Sequence, residues 1–309
     1  MFRRTLFFVL LVVLTLSLPG FADIVDEVRN ALGQGNLALA NQELQEYRGH
    51  HQVTPEYLEA LSWLARTSAA NNQMGAAEAY AKQTETSARQ LLTNRALDAE
   101  PHLPIALGAA IEVQAQVLAA QGKQAQAVAL LKRNLAEFQN TSIASRLKKN
   151  LNVLGLAGQS APTLQLGEYF GSKPVALSQL KGSPVLLFFW AHWCADCKGE
   201  GPIITQLRSE FGPRGLMVMA PTQRYGYGAG GQDATPRAEL AYIEQVWKQY
   251  YPGLENVPVP VSKSNFNNYG ASTTPTLVLV DRAGRVALYH PGAMPYAELR
   301  AAIEKVIAG

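Results

Sequence analysis

The chain has only two cysteines, Cys194 and Cys197, and they stand close together in the stretch FFWAHWCADCKGEGP, residues 188–202. Two thiols separated by two residues can close into a disulfide and reopen by exchange. If the first thiol sits at a helix N-terminus, the unpaired backbone N–H groups and the helix dipole favour its thiolate and lower its pKa below the free value of about 8.5. The second lies one turn further on, more buried, and can resolve the mixed disulfide that an attack by the exposed first thiolate creates. A bridge this short constrains little of the unfolded chain, so structural stapling is a poor use for it. A zinc site needs four ligands, and the five histidines (His50, His51, His102, His192, His290) form no pattern that completes one. No metal and no cofactor are therefore expected. His192, two residues before Cys194, reads as a solvated loop residue.

The pair needs a strand and a helix to position it. PVLLFFWA, residues 184–191, is a continuous apolar run suited to a strand buried on both faces. An amphipathic helix is expected from Cys194 to Phe211. GLMVMAP (215–221) reads as a second buried strand, ATPRAELAYIEQVWKQYY (234–251) as a helix and VPVPV (257–261) as a short strand. TPTLVLVD and RVALYH are two further strands joined at RAG, and MPYAELRAAIEKVIAG closes with a helix. This order predicts an α/β domain, a central mixed sheet flanked by helices, over 164–309.

Residues 23–156 have a different texture, rich in Ala, Leu, Gln and Glu, and predict an all-α domain. Ile24 and Ala40, Trp63 and Ala79, and Ile111 and Ala127 stand at equal separations, with Gly35, Gly75 or Gly122 between them as the turn. The pattern resembles tetratricopeptide helix pairs, although the copies are unevenly spaced; a generic antiparallel bundle is the alternative. Gly, Ser and Pro cluster in GLAGQSAPTLQ and mark a linker over 157–163. In residues 1–22, Arg3 and Arg4 precede an apolar run from Leu6 to Leu18 and the small residues Gly20 and Ala22, which is the layout of a signal peptide cleaved after Ala22. Export to the periplasm, or anchoring that faces it, is the expectation. The formal charge of +3 falls to +1 without Arg3 and Arg4, which offers no electrostatic case for nucleic acid.

The cysteine stretch resembles the active-site segment of the thioredoxin superfamily, and most closely its exported TlpA/ResA branch. Trp193 directly before the first cysteine, Phe189 and Trp190 at the strand end, and Glu200 and Pro202 in Cys-x-x-Cys-x-x-Glu-x-Pro carry the likeness. A distant segment, ASTTPTLVLVDRAGRV, resembles the family's cis-proline loop. The resemblance implies that Pro275 is the cis residue and that the Thr274 backbone pairs with an extended substrate segment. It also implies a thiol–disulfide oxidoreductase acting on protein thiols and disulfides, with Cys194 and Cys197 catalytic, Trp193, Thr274, Pro275 and Glu200 in support, and a membrane electron donor as partner.

Three features depart from the pattern. Ala195 and Asp196 stand between the cysteines, where Asp196 disfavours and Lys198 favours a thiolate. Phe188 occupies the position of the buried acid of cytoplasmic thioredoxins; Glu200 is a candidate proton carrier by position, and an exposed helix glutamate is the alternative reading of it. The segment TQRYGYGAGGQDATPRAELAYIEQVWKQYYPGLEN is an insertion, read as a flexible glycine-rich loop leading into an extra helix. Its Tyr225, Tyr227, Tyr250 and Tyr251 either line a partner surface or pack on the sheet. Competing functions are a scaffold whose helical domain binds a protein partner, and a disulfide-forming oxidant. A peroxide reductase is disfavoured, because Ala191 stands where that chemistry needs a threonine.

Overall fold

The structure, a computed structural model, describes residues 23–308. The expected signal peptide over 1–22 lies outside the described residues.

Seven helices form the N-terminal half: α1 (Ile24–Gly33), α2 (Leu37–His50), α3 (Pro55–Ala70), α4 (Met74–Leu91), α5 (His102–Ala120), α6 (Gln124–Glu137) and α7 (Ala144–Gly155). Short polar side chains start several of them. Asp23 accepts the Val25 N–H, Asn36 that of Leu39 and Thr54 that of Tyr57, each satisfying a donor that has no partner within its helix. The first six helices form three antiparallel pairs. In each pair the leading helix packs on its partner, and α3 packs on both α1 and α5, the other two leading helices. Alanines at the crossings (Ala40, Ala77, Ala127) are fully buried and let the helices approach closely.

The second pair is not registered as its sequence suggests. Its turn is made by Asn72, with φ 58°, in the place of Gly35 (φ 72°) and Gly122 (φ 74°), whereas Gly75 lies inside α4. Asparagine tolerates the left-handed region better than other side chains, so it substitutes for glycine there. The core residues of this pair are consequently Leu61 and Ala77, both buried, while Trp63 is half-buried and Ala79 exposed.

Helix α5 is long and apolar enough to cross a membrane by composition alone, with a hydropathy of 1.5, yet 67% of that window is buried inside the helical core. On α5, Glu112 accepts from Arg146 at 2.6 Å and Lys149 at 2.8 Å, both on α7. Burial opposes its ionisation, but the two cations outweigh burial and bring its pKa down to about 2.

The C-terminal half holds β1 (Tyr169–Phe170), β2 (Val185–Phe189), α8 (Ala195–Phe211), β3 (Met217–Met219), α9 (Pro236–Tyr250), β4 (Val259–Pro260), α10 (Lys263–Tyr269), β5 (Thr276–Val280), β6 (Val286–Pro291) and α11 (Tyr296–Ala308). The main sheet runs β3-β2-β5-β6, with β2 and β3 parallel and the other pairings antiparallel. Every residue of β2 is buried, as a strand covered on both faces requires. Leu186, Phe188, Leu277 and Leu279 share a core with Ile204, Leu207 and Phe211 of α8, Trp247 of α9 and Leu299 and Ile303 of α11. Each such side chain contributes about 1.5–3 kcal/mol on burial. The opposite face packs Leu187, Phe189, Val278 and Val280 on Phe266 and Tyr269 of α10. Strand β4 falls within the short strand read at VPVPV, whereas helix α10 and β1 were not expected, because elements of seven and two residues are too short to show a period.

The two halves are joined by direct contacts. Asn152 of α7 donates to the Tyr269 carbonyl at 2.7 Å. Gly270 (φ +60°) lies so close to α7 that an added Cβ would meet the Lys149 nitrogen at 2.5 Å and the Lys148 carbonyl carbon at 2.7 Å. The expected linker follows the β5–β6 hairpin, with Gly158 N–H donating to the Val286 carbonyl and Ala161 N–H to that of Gly284.

Candidate active site

Strand β2 ends at Phe189, which pairs antiparallel with Thr276, the first residue of β5. The chain leaving β2 and the chain entering β5 therefore meet at one end of the sheet. The first carries Trp190 to Cys194, the second Thr274 and Pro275. Trp190 anchors the strand end: its indole donates to the Ala220 carbonyl at 3.1 Å, and its own carbonyl accepts from the Thr222 hydroxyl at 2.9 Å. Stacked Trp247 and Tyr251 lie beside it, at 4.9 and 5.0 Å between ring centroids.

Cys194 is the N-cap of α8, and its sulfur accepts the Cys197 N–H at 3.0 Å. The two sulfurs are joined as a disulfide, with 5.3 Å between the Cα atoms. Cys194 was expected to be the exposed member, but only 3% of it is accessible and none of Cys197. Access differs less than sequence suggests, because Cys194 also belongs to the core between sheet and helix. Trp193 is instead the exposed residue, 49% accessible, with its ring edge-on to Tyr225 at 5.5 Å. Asp196 is exposed, and the Lys198 ammonium rests over the Tyr250 ring at 4.3 Å.

Glu200 lies three residues beyond Cys197, on the same face of α8. It is buried, and its carboxylate accepts the Met294 N–H at 3.2 Å through one oxygen while the other has no partner. Burial holds its pKa above the usual carboxylate range, and the Met294 hydrogen bond only partly offsets this. Pro202 sits within α8, where it cannot donate to the preceding turn. Phe188 is fully buried against Tyr251, so no acid stands at that place. The Thr274–Pro275 peptide is cis, the Pro275 carbonyl accepts the Gly292 N–H at 2.7 Å, and the Thr274 hydroxyl is buried without a partner. Thr274 and Trp193 line the same cleft, of about 1040 Å³.

His192 is a correction. It is 1% exposed, not solvated, and faces Glu239 of α9 at 3.6 Å inside a ring of Tyr225, Tyr227 and Tyr242. Burial lowers its pKa, against the pull of Glu239. Glu239 in turn accepts the backbone N–H groups of Tyr225 and Gly226. The glycine-rich loop is thus pinned: Gly228 N–H donates to the Gln232 carbonyl and Ala234 N–H to that of Gly226. Nothing local in the sequence indicates this pairing, since Glu239 is remote from His192 and reads as an ordinary helix carboxylate. Tyr251 packs against the sheet, while Tyr225 and Tyr227 wrap His192. Among the described residues, no group of three or more His, Cys, Asp or Glu side chains is placed to hold a metal ion.

Residues 175–307 match the profile of the thioredoxin-like domain family. The C-terminal half is a thioredoxin-like domain. Among curated relatives, the thiol–disulfide oxidoreductase ResA of Bacillus thuringiensis is 26% identical over 151 residues, covering 48% of this chain and 78% of its own. The thiol:disulfide interchange protein DsbE of Xylella fastidiosa is 29% identical over 140 residues, covering 45% of this chain and 63% of its own. A solved thiol:disulfide interchange protein of the thioredoxin family from Chlorobium tepidum is 19% identical with a TM-score of 0.38, covering 48% of this chain and 96% of its own. The thioredoxin-like domain places its cysteine pair where a buried strand gives way to a helix, next to a cis-proline turn.

Proposed function

We propose that this chain is an extracytoplasmic protein-disulfide reductase. Its parts would be a signal peptide (1–22), a tetratricopeptide-like helical domain (23–156), a short linker (157–163) and the thioredoxin-like domain (164–309). The observation that carries the redox reading is the Cys194–Cys197 bridge at the N-terminus of α8, directly after Trp193, which lines a cleft together with Thr274.

In the reduced protein the Cys194 thiolate, favoured by the Cys197 N–H and the helix dipole, attacks one sulfur of a client disulfide. An S–S bond forms between enzyme and client, and the other client sulfur leaves as a thiolate that takes up a proton. The Cys197 thiol then loses its proton and attacks Cys194. This closes the enzyme disulfide and releases the second client thiol, so two electrons pass to the client. Glu200, buried on the same helix face as Cys197, is the nearest carboxylate in sequence with a raised pKa and an unpartnered oxygen, which suits it to accept that proton. Trp193, next to Cys194, and the cis Thr274–Pro275 turn at the same end of the sheet are the proposed supports that present backbone to an extended client. Renewed reduction requires an electron donor, for which a membrane dithiol protein is the class proposed.

Two measurements test this. A Cys197→Ser variant should accumulate mixed disulfides with client protein through Cys194, visible by non-reducing electrophoresis, while Cys194→Ser should trap none. The Cys194–Cys197 couple equilibrated with dithiothreitol should have a potential at or below about −250 mV. A value near about −120 mV would reverse the proposed direction in favour of a disulfide-forming oxidant.

A further inference from the structure

The cleft lined by Trp193 and Thr274 does not end at the thioredoxin-like domain. It continues onto the helical half, where Gln139 after α6 and Ser145 of α7 line it together with Trp193 and Thr274. Two lysines, Lys148 and Lys263, line it, one from each half, and no aspartate or glutamate does. Neither lysine makes a salt bridge among the described residues, in contrast to Arg146 and Lys149 on the same helix as Lys148. Two acids stand behind lining residues with their carboxylates taken up: Asp98 by Ser142, whose N–H donates at 3.1 Å and hydroxyl at 2.5 Å, and Glu239 by the N–H groups of Tyr225 and Gly226. The walls are held together by the close approach of Gly270 to α7 and the Asn152–Tyr269 bond, so the cleft exists before anything enters it.

From this we infer that the cleft receives an extended, acidic segment of the client protein. This rests on the disulfide-reductase reading for the identity of the client, but the binding itself does not depend on redox chemistry. An extended segment presents unpaired backbone N–H and C=O groups. The cleft offers amides and hydroxyls for these, from Gln139, Ser145, Asn267 and Asn268. Two cations with no carboxylate beside them attract acidic side chains on the segment and repel basic ones, which selects among clients and speeds encounter. The helical half would then be part of the substrate site, placing the segment so that its disulfide meets Cys194.

The test uses the oxidised protein with two fluorescein-labelled decapeptides that lack cysteine, one of alternating serine and aspartate, the other of alternating serine and lysine. Anisotropy at low ionic strength should show the acidic peptide binding at least tenfold more tightly. The double variant Lys148→Glu/Lys263→Glu should abolish or invert that preference. A control with the same change in net charge at exposed sites outside the cleft, Lys181→Glu/Lys305→Glu, should keep it. Equal affinity for both peptides, or equal loss in the two double variants, overturns the inference. Failure of the reductase reading shows separately, as no mixed disulfide in the Cys197→Ser variant, and leaves the peptide preference standing.

Discussion

Gly270 is the tightest point between the two halves, and replacing it with alanine tests whether they are packed as described. Its φ of +60° already disfavours a side chain, and the added Cβ would lie 2.5 Å from the Lys149 nitrogen and 2.7 Å from the Lys148 carbonyl carbon. Both obstacles are main chain of α7, so no rotamer change relieves them. Separation to an ordinary contact needs a shift of roughly 1 Å, in a region packed too closely to yield freely. The left-handed conformation costs about 1 kcal/mol and the overpacking about 1–3 kcal/mol. The sum, about 2–4 kcal/mol, should lower the midpoint of thermal unfolding by roughly 5–12 °C for a unit of this size. Gly284 supplies the control: its φ is +82°, but the nearest atom to its added Cβ is the Lys181 Cε at 4.0 Å. Gly284→Ala should show the backbone cost alone. Circular dichroism melts of the two variants beside the parent separate the terms. A Gly270→Ala midpoint no lower than that of Gly284→Ala would refute the packing of α7 on α10.

Two titrations follow from the buried groups beside the cysteines. Burial lowers the His192 pKa, so in the unfolded chain this residue takes up a proton below about pH 6.5 that the folded state resists. Stability should therefore decline as pH falls from 7 to 5, and His192→Gln should flatten the decline in urea midpoints; an unchanged slope would remove His192 as its source. Glu200 has the opposite sign. Its folded pKa is raised, so the folded state holds a proton that the unfolded chain releases near pH 4.5, and stability falls as pH rises through that window. Glu200→Gln should be at least as stable as the parent at pH 7 and should slow the resolving step about tenfold or more. Retention of full single-turnover rates in this variant would exclude Glu200 as the proton acceptor.

Much of the thioredoxin-like domain is legible in the sequence, because its informative features are local. A short continuous apolar run rich in β-branched and aromatic residues between turn signals suits a strand covered on both faces. A Cys-x-x-Cys following it falls at a helix start, and the order of strands and helices restricts the sheet to few arrangements. Helical pairing in the N-terminal half is legible for the same reason. Its exact register is not, since Asn72 takes a turn position that glycine occupies in the other two pairs.

What tertiary structure alone decides is which remote residues meet. The ring around His192 draws Tyr225, Tyr227, Glu239 and Tyr242 from an insertion that reads as a flexible loop and a helix. The cleft draws Lys148 and Lys263 from different halves of the chain. Hydrophobic periodicity records whether a side chain is buried, but carries nothing about its partner, because burial against any apolar surface satisfies the same pattern. The chemistry of the cysteine pair is thus written in fifteen consecutive residues. The surface that selects what reaches the pair exists only once α7 has docked on α10.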